Sequence, residues 1–393
     1  MNVKTEMGWT GIRPDLKPRA DSEVEWWFIH GQVELPDGSD FRFMVSFFQI
    51  NAQRGGPDVG HMLLVHGLPS DPAAPPYVLS RMTPSIRHLH EVIALRVAEA
   101  SLPGPVARFL VPRHGQRMLA RALLDGIEVR DDPAEVAQAH LSIRWHDFAL
   151  QEAPDGTLTL TIPSDAAGAP LHLRLTAARP WLDGRGSRLD PRNQPDYAYV
   201  SCPRLLAEGQ MGDAPVRGTV WMDRQWGQFD NWFLLREPGA VRLVGWHWAG
   251  LSLDSGHDFL AARMMVIGGA PKEDGFVISF DESTVGPTRG RLLTLPDGHW
   301  TSPQSGITYP LAHRLQLPDL DGEIEITPLR MDQEIPVFGA PAIWEGAVSA
   351  RGTLLGQPVR GHGRLELYGY GYDTSAFSFL KSQITRRFRR PVR

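Results

Sequence analysis

The sequence predicts a mainly all-β protein built as two tandem antiparallel barrels with short helical insertions, and three observations carry that expectation. Alternation at the period of a strand recurs, as in Phe41-Arg42-Phe43-Met44-Val45-Ser46-Phe47-Phe48 and Thr157-Leu158-Thr159-Leu160-Thr161-Ile162. Turn signals punctuate these runs at Pro36-Asp37-Gly38, Pro154-Asp155-Gly156, Asp254-Ser255-Gly256, Pro296-Asp297-Gly298 and Asp321-Gly322. The 39 glycines and 33 prolines are spaced so that few segments would hold a long helix. Long antiparallel sheets escape exposed edges by closing. A chain of 393 residues also exceeds the size at which one hydrophobic core stops growing, so two domains are expected.

Taken along the chain, the first strand signal is Asp21-Ser22-Glu23-Val24-Glu25-Trp26-Trp27, which joins acids to adjacent tryptophans. It continues as Trp26 to Val33, turns at 36–38, and returns through Phe41 to Phe48. Val106 to Asp131 is rich in Arg, Ala and Leu, and this segment and Pro133 to His140 are expected as helical insertions. A second aromatic-acid cluster, Trp221-Met222-Asp223-Arg224-Gln225-Trp226-Gly227-Gln228, opens the second half. There Val244 to Leu253 leads through Asp254-Ser255-Gly256 to Asp258 to Met265, repeating the first hairpin's plan. Trp344-Glu345-Gly346 lies near the end. Three such clusters predict one large aromatic cavity. The expected division is an N-terminal domain over 1–208, a C-terminal barrel over 209–376 and a basic tail over 377–393, with the junction between Leu205 and Pro215.

Composition narrows the function classes. With 42% hydrophobic and 22% charged residues the chain should be soluble, and a net charge of -5 offers no general attraction for polyanions, so nucleic-acid binding is not expected. Cys202 is the only cysteine, which excludes an intrachain disulfide and a cysteine-cluster metal site. Residues 1–20 lack the apolar core of a signal peptide, and no run approaches the ~20 apolar residues that span a bilayer, so a cytoplasmic protein is expected. The tail sets Lys381, Arg386, Arg387, Arg389, Arg390 and Arg393 among Phe377, Phe379, Leu380, Ile384 and Phe388. It reads either as a basic amphipathic helix making a peripheral contact with an anionic membrane or as a solvated terminus.

Five motifs in fixed order, Glu25-Trp26-Trp27, Trp221-Met222-Asp223, Asp332-Gln333-Glu334, Trp344-Glu345-Gly346 and Gly361-His362-Gly363-Arg364-Leu365-Glu366-Leu367-Tyr368-Gly369-Tyr370, resemble the carotenoid 1,2-hydratase (hydroxyneurosporene synthase) family. That group includes kievitone hydratase and lipocalin-like Diels-Alderases. The resemblance spans about Asp21 to Tyr372 and implies two tandem lipocalin-like barrels, an apolar pocket at or between them, and no cofactor. The carotenoid branch pairs a Tyr-x-Asp motif with an upstream His-x-Trp. Here Trp221-Met222-Asp223 resembles the first with Trp in place of Tyr, while Tyr197-Ala198-Tyr199 stands upstream with no histidine. One such scaffold hosts several reactions, so the resemblance alone does not name this one.

Hydrating an isolated alkene or cyclising a polyene needs a strong acid and walls that protect a carbocation. A buried carboxylic acid meets the first need and tryptophan or tyrosine faces the second, at several tenths to ~2 kcal/mol each. Asp223 is therefore the first candidate proton donor, with Trp221 on the same strand face and Trp226 nearby; the plainer reading is an Asp223-Arg224 ion pair or turn cap among core tryptophans. Glu25 is the second candidate, or else a buried carboxylate paired with Arg204 or Arg263. His247, between Trp246 and Trp248, would orient a water or relay a proton, or sit hydrogen-bonded in the core. Tyr199 and Tyr197 would donate to a substrate carbonyl, or simply pack. Trp26, Trp27, Trp221, Trp226, Trp246, Trp248 and Trp344 complete the expected substrate walls.

Other signals are weaker. His61 and His66, and His88 and His90, have spacings found in metal sites without the accompanying carboxylates, so no metal is expected. Gly184-Arg185-Gly186 lacks a phosphate cradle's setting, and Ser201-Cys202-Pro203 has no nucleophile elbow. The leading expectation is a cofactor-independent hydratase or cyclase acting on an apolar isoprenoid or polyene. A pericyclase of the Diels-Alderase kind and a non-catalytic lipid or pigment carrier are the alternatives.

Overall fold

A computed structural model describes residues 14–51, 59–89, 126–183, 197–228, 234–237, 240–266, 271–282, 284–337 and 340–371. The first sheet contains β1 (Val24–Glu34), β2 (Asp40–Ile50), β3 (Gly60–Pro69), β4 (Tyr77–Met82), β5 (Glu128–Val129), β6 (Glu135–Val136), β7 (Ser142–Trp145), β8 (Phe148–Glu152), β9 (Leu158–Ile162), β10 (Leu171–Ala177), β11 (Leu182–Asp183), β12 (Tyr197–Met211) and β13 (Ala214–Gly227). The second contains β14 (Leu234–Glu237), β15 (Ala240–Leu253), β16 (Asp258–Val266), β17 (Pro271–Phe280), β18 (Val285–Thr288) and β19 (Arg291–Thr294). After a separate ribbon of β20 (His299–Thr301) and β21 (Thr308–Pro310), it resumes with β22 (His313–Leu317), β23 (Gly322–Pro328), β24 (Glu334–Val337), β25 (Ala340–Leu354) and β26 (Gln357–Tyr368).

Each sheet curls by the same device. A meander of hairpins opens it, β1-β2-β3-β4 in the first and β15-β16-β17-β18 in the second. A long closing hairpin then returns to the opening strand, β12-β13 against β1 and β25-β26 against β15. The two successive curled sheets expected from the turn spacing are thus present. In the opening hairpins the turn glycines Gly38 and Gly256 stand at φ 82° and 85°, a conformation that costs a side-chain-bearing residue steric energy.

β13 pairs with β1 over its length, from Val24↔Gly227 to Glu34↔Arg217. The expected junction at 208/209 falls inside β12, and the first sheet runs on to Gly227. Residues 133–140 do not form a helical turn: Glu135–Val136 pairs with Arg144 and Ile143 as a strand, because Val136 packs on the first core. The helical expectation for Val106 to Asp131 lies largely outside the described residues, and its described end supplies β5, parallel to β4. The tail 377–393 also lies outside them. No helix among the described residues is long and apolar enough to cross a membrane.

Burial patterns show which faces dock. β10 alternates buried and exposed residues, with Leu171, Leu173 and Leu175 inward and His172 and Arg174 outward, as a sheet wetted on one side requires. In β1, by contrast, Val24 to His30 are all buried. One face of β1 enters the first core with Trp27, Ile29 and Val33, while Trp26 and Phe28 enter a second cluster shared with Trp248, Leu260, Ile278, Phe280 and Tyr368 of the other sheet. A third cluster, around Leu251, Phe259, Trp344 and Leu367, fills the second barrel. The middle cluster is the seam between the barrels. An ionic contact ties its rim: Asp258 of β16 is fully buried, accepts from Arg204 of β12 at 2.8 Å and lies 3.4 Å from Arg179.

Candidate functional site

Asp223 stands on β13 with β12 and β1 on either side, directly opposite Ser201 and Phe28. Residues two apart on a strand share a face, so Trp221 and Asp223 both point into the seam. Asp223 is 1% exposed. Its Oδ1 accepts from Ser201 Oγ at 2.6 Å and from Trp221 Nε1 at 2.7 Å, and its Oδ2 accepts from the Tyr199 hydroxyl. Trp248 Nε1, from the second sheet, donates to the same Tyr199 oxygen at 3.1 Å. Burial pushes the Asp223 carboxyl up to about 6, although all three donors pull it down. No cation pairs with it among the described residues. The expected Asp223-Arg224 ion pair is absent because adjacent strand residues face opposite ways.

Aromatic rings enclose this carboxyl from both sheets. Trp248 meets Trp221, Phe28 and His30 edge-on, with ring centroids at 5.8, 5.5 and 5.8 Å, and Phe280 meets Trp221 at 5.8 Å. His30 stacks on Trp221 at 5.9 Å. Burial, with the Arg364 guanidinium as a cationic neighbour, holds His30 well below the ordinary imidazole range and so neutral. Trp26 joins the same face, stacked on Phe48, and Trp246 stacks on Tyr368 at 4.2 Å. Around these rings, His30 Nε2, Ser46 Oγ and Ser80 Oγ are buried without a hydrogen-bond partner among the described residues. Ser46 of β2 lies directly opposite Phe28 of β1, and Ser80 of β4 lies two strands further on, across Leu64 of β3.

The second sheet also brings a carboxyl that the sequence reading passed over. Glu366 of β26 lies opposite Trp248 on one side and Glu345 on the other. It accepts from Trp246 Nε1 at 2.8 Å. Burial pushes it up to about 7, with the negative charge of Asp223 adding to the rise. Glu345, 3.4 Å from Arg364 Nε, is raised well above the ordinary range by burial and by Glu366. A signal for Glu366 exists in Gly361 to Tyr370, where His362, Arg364, Glu366 and Tyr368 alternate with Leu365 and Leu367. On its own that alternation describes a solvated face, and only the docking of the two sheets covers it, leaving Glu366 half-buried.

The remaining candidates separate by face. Glu25 and Trp27 point into the first barrel, where Glu25 pairs with Arg224, its diagonal neighbour across the β1-β13 register, and not with Arg204 or Arg263. Arg224 lies over Trp27 at 4.1 Å and over Trp226 at 4.8 Å, so Trp226 stands apart from Asp223. Trp344 fills the second core and donates to the Met331 carbonyl at 2.8 Å. His247 faces the second barrel: Arg263 donates to its Nδ1 at 3.0 Å, His313 Nε2 lies 2.9 Å from the same atom, and the Tyr370 hydroxyl is 2.6 Å from its Nε2. Burial holds His247 neutral. The side chain of Tyr197 lies outside the described residues. His61 and His66 occupy opposite faces of β3, since an odd spacing on a strand separates them; His88 is exposed, and His90 lies outside the described residues.

Chemically, the seam is an apolar, buried cluster with two titratable carboxyls, neutral hydrogen-bond donors and several π faces. Such a set suits proton transfer to and from carbon next to a developing cation. Comparisons with known proteins agree with the architecture. Residues 116–370 match the family model described as AttH-like. In fold, the chain is similar to a Nitrosomonas europaea protein designated AttH, at 24% identity and a TM-score of 0.61, covering 90% of this chain and 94% of that one. It is also similar to kievitone hydratase from Nectria haematococca, at 13% identity and a TM-score of 0.56, covering 92% and 93%. These likenesses bear out the tandem lipocalin-like barrels. No curated protein matches the sequence.

Proposed function

Because the chain belongs to the AttH-like family, we propose that it is a hydratase or cyclase that works without a cofactor on an isoprenoid or polyene, through proton transfer centred on Asp223. The observation that carries this reading is the environment of Asp223: fully buried, hydrogen-bonded among the described residues only by neutral donors, and enclosed by tryptophans of both barrels. The ordered motifs shared with the carotenoid 1,2-hydratases, and the fold shared with kievitone hydratase, support hydration as the reaction type.

In this reading the alkene lies along the seam. A carboxylic acid adds its proton to one alkene carbon, and the ring faces of Trp221 and Trp248 stabilise the resulting cation. Water then attacks the cation, or a second double bond closes a ring, and a carboxylate takes up the proton released. The unpaired His30 Nε2, Ser46 Oγ and Ser80 Oγ favour a substrate that carries hydroxyl or carbonyl oxygens on its apolar frame, since buried polar atoms without partners are costly. The pericyclase alternative needs a phenol free to donate to substrate, but the Tyr199 proton is directed at Asp223. Carriage without reaction makes no use of a carboxyl held near neutrality.

The test is Asp223→Asn against wild type on a panel of hydroxylated and unsubstituted isoprenoid and polyene alkenes, with products read by mass spectrometry and folding by circular dichroism. Loss of turnover by roughly 10²–10⁴-fold in a folded variant is expected. Recovery of every ligand unaltered by wild type supports the carrier. Turnover that survives the substitution supports the pericyclase.

A further inference from the structure

Resting on the reading above, we propose that Glu366 is the proton donor of the seam and Asp223 the proton acceptor, so that each barrel supplies one carboxyl to the reaction. The two occupy corresponding places in the repeated plan. Asp223 sits on β13, which closes the first sheet onto β1, opposite Phe28. Glu366 sits on β26, which closes the second sheet onto β15, opposite Trp248. Phe28 and Trp248 touch edge-on across the seam, so the two carboxyl-bearing positions face each other through an aromatic pair.

Hydrogen bonding separates their roles. Asp223 accepts from three donors, Tyr199, Ser201 and Trp221, and each of these bonds favours the anion. Among the described residues, Glu366 accepts from Trp246 alone. The charged groups facing Glu366 are Asp223, its cross-strand neighbour Glu345, and Arg364, whose guanidinium is spread over the Glu345 carboxyl, the Glu345 carbonyl and His66. Two carboxyls facing one shared cation are both held above the ordinary carboxylate range. Burial raises both carboxyls, Glu366 to about 7 and Asp223 to about 6.

The step balances. The Glu366 O–H bond breaks as a C–H bond forms at the alkene, leaving Glu366 as carboxylate and a cation at the neighbouring carbon. A water oxygen bonds to that carbon while its proton passes to the Asp223 carboxylate. Asp223 then returns the proton to Glu366 by way of solvent as product leaves, so that one water has been added and both groups are restored.

Ownership of the proton can be read without any substrate, by ¹³C NMR of protein labelled at its Asp and Glu carboxyl carbons and titrated with pH. The two signals are assigned by their loss in Asp223→Asn and Glu366→Gln. The expected result is that Glu366 ionises at the higher pH, about one unit above Asp223, and that its midpoint falls in Asp223→Asn as the repulsion is removed. The reverse order, or Glu366 already ionised at pH 5, overturns the assignment. Should Glu366→Gln fail to fold, Trp246→Phe keeps both carboxyls and removes one donor. It should raise the higher midpoint and leave Asp223 in place, and movement of Asp223 instead overturns the assignment. Failure of wild type to turn over an alkene is a separate result and bears on the proposed reaction alone.

Discussion

Asp223 and Glu25 are both buried carboxyls on paired strands, yet their surroundings assign them different work. Glu25 faces Arg224, itself 0% exposed and clasped by Trp27 and Trp226. Glu25→Ala would leave that guanidinium buried and unpaired, and we expect a loss of about 3–5 kcal/mol in urea unfolding, with activity per folded molecule largely kept. Among the described residues Asp223 faces only neutral donors, so its signature is pH dependence. Its carboxyl keeps a proton up to about 6 in the native protein against 3.8 in an ordinary setting. The stability this contributes is therefore fully present below pH 3.8 and is lost as pH rises through 6. That displacement corresponds to about 3 kcal/mol. The Tm of Asp223→Asn relative to wild type should thus improve between pH 4 and pH 7 and then level off; a constant difference would contradict the raised carboxyl. At this scale the sequence made Trp221 and Asp223 legible as same-face neighbours, because a spacing of two decides it. It did not reveal Glu366, whose half-buried place depends on a sheet more than 130 residues away in the chain.

At the scale of the element, continuous burial marks the strands that build the seam. β1 is buried through both faces from Val24 to His30, whereas β10 alternates, and this contrast is visible in the residues: Glu25-Trp26-Trp27-Phe28-Ile29 against Leu171-His172-Leu173-Arg174-Leu175. The hairpin turns were legible for the same local reason, since Asp-Gly and Ser-Gly pairs favour positive φ. The short strand β6 was not, because Ala and Glu near 133–140 suit a helix and only pairing with β7 overrides them. In β15, Gly250 lets the Trp248 ring lie back along its own strand. A Cβ there would stand 2.5 Å from the ring's Cη2. Gly250→Ala should push Trp248 off Tyr199 and Phe28, costing roughly 1–3 kcal/mol of stability and a larger share of activity. Near-UV circular dichroism and turnover together check this, and an unchanged tryptophan signal would contradict it.

For the whole molecule, the site exists only while the barrels are docked, since Tyr199, Trp221 and Asp223 come from the first and Trp246, Trp248 and Glu366 from the second. The tandem plan was readable from the repeated hairpin. Where one sheet hands over to the next was not, because β13 returns to β1 across some 200 residues of sequence and no local signal encodes that register. Asp258, held between Arg204 and Arg179 across the rim, helps fix the docking. Asp258→Ala should lower stability by about 3–5 kcal/mol in denaturant unfolding and lower turnover with it. The central claim, that carboxyl-driven proton transfer to carbon occurs in the inter-barrel seam, is tested most directly by turning over an oxygenated isoprenoid alkene in D2O and locating deuterium in the product. Wild type should place one deuterium on the carbon beside the new C–O or ring bond, and Asp223→Asn should lower product formation by roughly 10²–10⁴-fold. Product free of carbon-bound deuterium, or full activity in the variant, would contradict the account.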